Sequence, residues 1–337
     1  MLYNAPVEHC GTEINRFIII TGDNMTNSES NYVAIIREIC AEEGIELQSF
    51  SFDWIFRLTK NGKTGFILGY QFGLNSASVN SICCDKSAAS ELMTALGIPN
   101  ISHILFASPP EQKFVGNCGF MEELLALLKK HGCLVVKPND GTGGDRVYKV
   151  TTPCGLETAV FEIFQKSAYL AASPFEEIEN EYRAVILDGE VRLLYTKKRP
   201  SLTGNGKSTV KELLLEKMSA GDLMRPEEFP PAKLLNSIPG AGERILLNWR
   251  HNLGQGARAL PVRDKETRRE VGLIARRVFE GLNVRFASVD VVETAEGLKV
   301  LEINSGVMME NFAGQDEESR SIAKEIYRDA VRKMMSN

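Results

Sequence analysis

The chain has 337 residues, of which 43% are hydrophobic and 25% are charged, the composition of an ordinary globular protein with room for two or three subdomains. The net charge of −5 excludes a broadly basic nucleic-acid-binding surface, and no apolar run approaches the ~18 residues of a membrane span. The N-terminus lacks the layout of a signal peptide, and the seven scattered cysteines include no C-x-x-C pair. We therefore expect a cytoplasmic protein without a zinc or disulfide framework.

The N-terminal part predicts a β-α-β arrangement. The apolar run 17–20 is interpreted as a buried strand, residues 31–43 as an amphipathic helix and 45–50 as the next strand. This order favours a small doubly wound α/β domain. Further on, Asn61-Gly62 lies between two apolar runs and predicts a tight β-hairpin.

Helices and strands alternate through the rest of the chain. An apolar strand is predicted at 134–138, with its antiparallel return at 146–150, whereas 201–243 is rich in Gly, Pro and Ser and is interpreted as a mobile insertion. The further predicted helices cover 86–97, with Asp85 as N-cap, 121–132, 268–282 and the tail from 316.

Three polar side chains within an apolar hairpin point to a metal site. The segment 286–304 is interpreted as two strands, and folding it about Glu296 places Asp290 opposite Glu302, with ~5 Å between the two Cβ atoms. Asn304 then lies on the same face as Glu302. Two facing carboxylates repel unless a cation lies between them, and Mg²⁺ prefers such oxygen ligands. The alternative at this point is a solvated polar strand face.

A glycine-rich loop follows the strand that carries Lys137. The loop 139–145 holds Gly141, Gly143 and Gly144, which allow positive φ and let backbone N–H groups converge on an anion. Lys137 ends an apolar run, so its stem is expected to be buried and its ammonium directed. These features favour a cover over phosphate groups, the alternative being a plain hairpin with a solvated lysine.

Taken in order, these motifs resemble those of the ATP-grasp superfamily. The resemblance covers residues 85–310. The matching segments are Asp85-Lys86 with Gly97-Ile98-Pro99, the strand and loop 134–147, Glu181-Tyr182-Arg183, and the D-x11-E-x-N run of 290–304. Segments 199–214 and 252–257 are similar to the branch that contains cyanophycin synthetase, ribosomal-protein glutamate ligase and bifunctional glutathione synthetase.

The resemblance implies an α/β ATP-grasp fold of three parts. These are an N-terminal doubly wound α/β domain (1–84), a helix and lid subdomain (85–172), and a C-terminal mixed-sheet subdomain (173–337) that includes the insertion 200–243.

The resemblance also implies an activity. ATP would phosphorylate a carboxylate, and an amine would displace phosphate to form an amide, with ADP released and two Mg²⁺ ions, or Mn²⁺ in their place, as metals. The expected partners are small amino acid or peptide substrates, with neither nucleic acid nor membrane, and a homodimer is left open. The rival interpretations are a nucleotide-binding regulator or scaffold without catalysis, and an ATP-grasp kinase.

Individual residues receive roles from the same resemblance. The ATP phosphates would be contacted by Lys86 and Lys137 and covered by Gly141, Gly143 and Gly144. One Mg²⁺ would be held by Asp290 and Glu302, and a second by Glu302 and Asn304.

Two further roles concern the reacting groups and the adenine. Arg183 and Asn252 would steady the transferring phosphoryl or acyl group. The hinge before Glu181 departs from the family pattern, because Pro174 stands where an acidic residue is expected. Glu176 or Glu177 would then contact the adenine.

Overall fold

The computed structural model describes residues 29–116, 119–199, 201–219, 232–247 and 257–336, together with Trp249, His251 and Leu253. The strand predicted at 17–20 and the proposed catalytic residue Asn252 lie outside the described residues. No helix in the described ranges combines the length and the apolar character that a membrane crossing requires.

The N-terminal part is a helix followed by an antiparallel sheet of order β1-β2-β3-β4. The predicted α/β class is confirmed. The doubly wound arrangement predicted for this part is wrong for the described strands, which pair antiparallel. Short turns join these strands, and such turns permit only antiparallel pairing because parallel strands need a crossover of a dozen residues or more. The hairpin at Asn61-Gly62 is confirmed, with φ values of 51° and 77°. The elements are α1 (Asn31–Glu43), β1 (Glu46–Phe50), β2 (Ile55–Lys60), β3 (Lys63–Leu68), β4 (Gln71–Phe72), α2 (Ala77–Cys84) and α3 (Lys86–Ala95).

The central part is a four-stranded antiparallel sheet of order β5-β8-β6-β7, with helices α5 and α6 on it. Its core contains Leu134, Val136, Leu156 and Leu170, each with no exposed surface. The predicted helix at 121–132 and strand at 134–138 are confirmed. The elements are β5 (Ile104–Ala107), α4 (Gln112–Val115), α5 (Met121–His131), β6 (Leu134–Pro138), β7 (Tyr148–Val150), α6 (Pro153–Phe164) and β8 (Tyr169–Pro174).

The C-terminal part is a five-stranded antiparallel sheet of order β13-β10-β9-β14-β15. The described part of the insertion has a two-stranded sheet and its own small core around Leu202, Val210 and Leu214, and its mobility stays a prediction. The elements are β9 (Asn180–Leu187), β10 (Glu190–Lys198), β11 (Ser201–Thr203), α7 (Val210–Ser219), α8 (Ala232–Leu235), β12 (Arg244–Leu246), β13 (Arg258–Pro261), α9 (Lys265–Leu282), β14 (Phe286–Thr294), β15 (Gly297–Asn304), α10 (Glu310–Ala313) and α11 (Glu317–Ser336).

The two faces of the five-stranded sheet bury different cores. One face packs on α3 and α9 through Ala184, Val289 and Ile303. The other face packs on α1, α11 and the N-terminal sheet through Leu187 and Phe286. Because side chains alternate along a strand, this second face continues from Phe286 to Ser288 and Asp290. One face of one sheet therefore changes from apolar core to a charged cluster along its length.

A long-range cap fixes the start of α1 to the C-terminal part. The Glu310 carboxylate accepts hydrogen bonds from the backbone N–H groups of Asn31 and Tyr32, both at 2.8 Å. Backbone N–H groups in the first turn of a helix have no partner within the helix, so this carboxylate adds to the local cap, in which Ser30 Oγ accepts from Val33 N at 3.3 Å, and it also interacts favourably with the helix dipole.

We expect Glu310→Ala to lower the free energy of unfolding by about 1 kcal/mol, because two N–H groups of the first turn lose their acceptor. Denaturant unfolding monitored by circular dichroism measures the change. Glu157→Ala, at an exposed position of α6, is the control and should stay within about 0.5 kcal/mol of the unsubstituted protein. Equal midpoints for the two variants would contradict the capping role.

Candidate active site

The register of β14 places two carboxylates side by side. Asp290 pairs with Glu302 of β15 on one side and with Arg183 of β9 on the other. The hairpin turn closes at Thr294 and Gly297 rather than about Glu296, and a β-bulge beside Asp290 restores the offset of one residue. The predicted facing of Asp290 and Glu302 is confirmed.

Asp290 is the centre of a buried ion cluster. Arg183 donates to it through Nε at 2.7 Å and through Nη2 at 2.6 Å, and Lys197 Nζ donates to Oδ2 at 2.8 Å. Lys197 also pairs with Glu181. Asp290 is 1% exposed and Lys197 is 5% exposed, so these charges are held almost without water. A buried charge with fixed partners of this kind is rigidly positioned.

The carboxylates of the cluster respond differently to burial. Burial alone would raise the pKa of Asp290, but Arg183 and Lys197 hold that pKa well below its usual range. Burial raises the pKa of Glu181, against which Lys197 acts only in part. Burial also acts to raise the pKa of Glu302, yet Lys86 and other nearby cations leave it lowered. Asp290 and Glu302 therefore favour their charged forms at neutral pH.

Lys137 brings a cation to this cluster from the opposite sheet. It lies on β6 and is 7% exposed, and its ammonium makes no hydrogen bond or ion pair with any described residue. Burial lowers its pKa to about 8, while the nearby charge of Glu302 acts in the opposite direction. A buried ammonium that lacks a paired anion is a site prepared for an anionic ligand.

The glycine loop is anchored at its root to the start of α3. Asn139 Oδ1 accepts hydrogen bonds from Ser87 N at 3.1 Å and Ser87 Oγ at 2.9 Å, and Lys86 N donates to Asn139 O at 3.1 Å. Lys86 Nζ donates to Gly141 O at 2.5 Å. Lys86 and the loop therefore lie together, as the phosphate interpretation requires.

The tip of the loop has the backbone that its sequence predicts. Gly143 and Gly144 adopt φ values of 68° and 77°, which residues with a side chain rarely adopt. Gly141 is required for a different reason, which is close packing. A Cβ atom at this position would lie 2.9 Å from Pro138 Cβ, too close for an ordinary contact.

The oxygen atoms of Asp290, Glu302 and Asn304 fit a divalent cation. Asp290 Oδ2 already accepts two hydrogen bonds and Oδ1 accepts one, so Oδ1 keeps one acceptor position for a metal. Asn304 Nδ2 lies 3.3 Å from Glu302 Oε1, which brings their polar ends together. No group of three acidic, Cys or His side chains in the described ranges is arranged as a metal site, so the ligand set would be two carboxylates and an amide.

The remaining predicted site residues are placed with mixed results. Arg183 lies in the ion cluster, whereas Asn252 lies outside the described residues. Glu176 is bound by Lys299 Nζ at 2.7 and 2.9 Å, and Glu177 is exposed to solvent. The role of Glu176 or Glu177 in adenine binding therefore stays a prediction.

The sequence interpretation missed Lys197 and Glu181 as members of the cluster. A signal was present, because Asp188-Gly189 is a strong hairpin turn signal and has φ values of 50° and 81°. Folding the chain there brings β10 against β9. A bulge at Arg192 then shifts the register by one residue, which a simple hairpin count does not include.

Comparison with known proteins identifies relatives of low sequence identity. No protein-family model matches the chain. The chain is 24% identical over 259 residues to the glutathione biosynthesis bifunctional protein of Lactiplantibacillus plantarum, covering 71% of this chain and 33% of the relative. It is 24% identical over 271 residues to cyanophycin synthetase of a Nostoc species, covering 76% and 28%. The chain thus spans about a third of the length of these relatives.

The fold is also shared with a solved structure. A bifunctional glutathione synthetase from Pasteurella multocida superposes with a TM-score of 0.53 at 15% identity, covering 88% of this chain and 44% of that one. The α/β ATP-grasp fold predicted from the sequence motifs is confirmed, and the relatives are of the kind that the motifs indicated.

We expect Lys137 to titrate with a midpoint near pH 8, below the ordinary lysine value of about 10.4, because burial disfavours its charged form. Its folded pKa is below its unfolded value, so the free energy of unfolding should rise as the pH increases from about 8 toward 10. Carbon-13 NMR of the lysine Cε atoms measures the midpoint, and loss of the signal in Lys137→Met identifies it. Bound polyphosphate should raise the midpoint, and a midpoint near 10 without ligand would contradict the assignment.

Proposed function

We propose that this chain, which has the ATP-grasp fold, is an ATP-dependent carboxylate–amine ligase that forms an amide or peptide bond through an acyl-phosphate. The proposed substrates are amino acids or small peptides, in keeping with relatives named for glutathione and cyanophycin synthesis. ADP and phosphate would be the other products.

One observation carries the proposal. The facing pair Asp290 and Glu302 lies beside the unpaired Lys137, and Lys86 lies under the glycine loop next to them. Oxygen ligands for a cation and directed cations for phosphate thus meet at one place. This combination suits phosphoryl transfer, which depends on positioning and charge stabilisation more than on covalent participation by the protein.

In the first step, a substrate carboxylate oxygen would attack the γ-phosphorus of ATP. A new O–P bond forms, the bond to the β-phosphate oxygen breaks, and ADP leaves with that electron pair. Two anions must approach each other for this to happen, and Lys86 and Lys137 would reduce their repulsion. Arg183 would act mainly through Asp290, which it holds in place by hydrogen bonds from Nε and Nη2.

Asp290, Glu302 and Asn304 would hold Mg²⁺, which supplies charge neutralisation across the phosphates when bound. Lys197 and Arg183 would keep Asp290 ionised and oriented for that task.

In the second step, an amine would attack the acyl carbon. The C–N bond forms, the C–O bond to phosphate breaks, and the amine loses a proton as phosphate leaves. An acyl-phosphate hydrolyses in open water, so the loop 139–145 would act as a cover that excludes solvent.

The reaction class is tested by measuring ADP and phosphate from Mg-ATP against a panel of amino acids and dipeptides. A ligase is expected to release phosphate only when a carboxylate and an amine are both present. A kinase would release ADP with the carboxylate alone and keep the phosphoryl group on its product. A nucleotide-binding regulator would give neither product with any member of the panel.

Glu302→Ala should reduce the rate of ADP formation by at least about a hundredfold. Without this carboxylate the transferring phosphoryl group loses charge stabilisation, which raises the activation barrier by several kcal/mol. Glu157→Ala, at an exposed position of α6, is the control and should retain full turnover. Glu302→Ala should keep the circular dichroism spectrum of the unsubstituted protein. If Glu302→Ala turns over at nearly the rate of the control at ordinary Mg²⁺ concentrations, the assignment of Glu302 as a metal ligand is contradicted.

We expect the loop 139–145 to exchange its amide hydrogens about tenfold or more slowly when Mg²⁺ and a non-hydrolysable ATP analogue are bound. Phosphate oxygens would bind at the N–H groups of the turn, and the loop would then open less often. Hydrogen exchange by mass spectrometry measures this. The exposed turn at Asn61-Gly62 is a matched control, because it is also a glycine turn but lies in the N-terminal sheet. Equal exchange with and without the analogue would favour a rigid structural hairpin.

A further inference from the structure

A second cationic region lies on the other side of the ion cluster from Lys137. It is a pocket of about 200 Å³ between the ends of β9 and β10 and the insertion strand β12. Lys198, Arg199 and Arg244 line it, and Glu179 is an acidic member of its wall. In a chain with a net charge of −5, these three cationic side chains, together with Lys197, around so small a volume favour an anionic occupant.

His251 adds a buried polar residue to the lining of this pocket. The residue is 7% exposed, and its Nδ1 lies 2.8 Å from the backbone oxygen of Lys197. A carbonyl oxygen only accepts, so Nδ1 carries the hydrogen and Nε2 of the neutral ring is an acceptor. No described residue donates to Nε2, although the atom is buried. Burial also lowers the pKa of His251 to about 4, which keeps the ring neutral.

The cations of the pocket are available to a ligand. Arg244 uses Nε to contact Ser201 Oγ at 3.1 Å, which leaves the two Nη groups of its fork. Lys198 pairs with Arg258 of β13 through its backbone, and the side chains of Lys198 and Arg199 make no hydrogen bond or ion pair with any described residue. A guanidinium pair of this kind matches the two oxygens of a carboxylate.

The position of the pocket separates it from the glycine loop. In the sheet order β13-β10-β9-β14-β15, Glu302 lies on the last strand, beside Lys86 and Lys137. The pocket lies at β10, and Lys197, which binds Asp290, also lines it. Cationic regions therefore flank the cluster on two sides, and a reaction that joins a phosphoryl group to a carboxylate needs a place for each of two anions.

We propose that this pocket binds a carboxylate-bearing amino acid or peptide, with Arg199 and Arg244 holding the carboxylate and His251 Nε2 accepting a hydrogen bond from an N–H group of the same molecule. This assignment rests on the proposed ligase function and names its substrate class. The small volume of the pocket, about 200 Å³, favours a single residue of that molecule at this position.

The test is direct binding without nucleotide, measured by isothermal titration calorimetry. The probes are L-aspartate, L-glutamate and the dipeptides of each, with L-asparagine and L-glutamine as amide controls of nearly the same shape. An acidic probe is expected to bind at least about tenfold more tightly than its amide control, because only the carboxylate pairs with the guanidinium groups.

Variants then assign the contact. Arg199→Gln and Arg244→Gln should each weaken binding of the acidic probe by about tenfold or more, and Lys207→Gln, exposed in the same insertion, should leave it unchanged. His251→Asn keeps a donor toward Lys197 O but removes Nε2, and it should also weaken binding. Arg244 is exposed, so Arg244→Gln is expected to fold. This variant therefore still tests the proposal if one of the other variants does not fold.

A parallel titration with a non-hydrolysable ATP analogue separates the two anion sources. The proposal is overturned if no acidic probe binds better than its amide, or if the arginine variants weaken binding of the analogue and not of the acid. Acid binding that depends on Arg199 but yields no ADP would keep the pocket and reject the ligase. ADP formation that is indifferent to both arginines would keep the ligase and reject the pocket.

Discussion

The bidentate ion pair between Arg183 and Asp290 is the interaction on which the rest of the site depends. Both residues lie in the interior of a five-stranded sheet, and Lys197 completes the charge balance from β10. Removing one member of such a buried cluster leaves another charge uncompensated, at a cost of about 3–5 kcal/mol. The same sheet face is apolar at Leu187 and Phe286, so the fold supports Arg183, Asp290 and Lys197 there only because each of these three charges has a partner.

The charge balance changes where the two sheets meet. Arg183, Lys197, Lys86 and Lys137 bring four cations against the three carboxylates of Glu181, Asp290 and Glu302. The excess is local to Lys137, whose ammonium has no hydrogen-bonded anion among the described residues and whose pKa burial lowers to about 8. A polyphosphate with its cation would supply the missing negative charge. The electrostatics of the site thus favour the ligand that the proposed chemistry requires.

Local signals in the sequence were sufficient for the hairpin that carries Asp290 and Glu302, because alternation and turn chemistry act over a few residues. The facing of the two acids was predicted correctly even though the strand register at the turn differs by one residue from the predicted register, since a bulge offsets the difference. The N-terminal sheet was not predictable in the same way. A β-α-β order is compatible with either strand direction, and the choice depends on which strands meet in space. Lys197 was missed because the bulge at Arg192 changes the register of β10.

The two cations proposed for phosphate are held differently, and this difference has a physical reason. Lys137 lies on β6 within a packed sheet, and Lys86 lies at the start of α3, which Asn139 ties to the loop root through three hydrogen bonds. Stabilising charges act best when they are fixed before the reaction, because reorganisation during it would cost part of the gain. A cover must instead open for substrate. The glycines at the tip of the loop allow that movement, while the bonds at its root leave the cations in place.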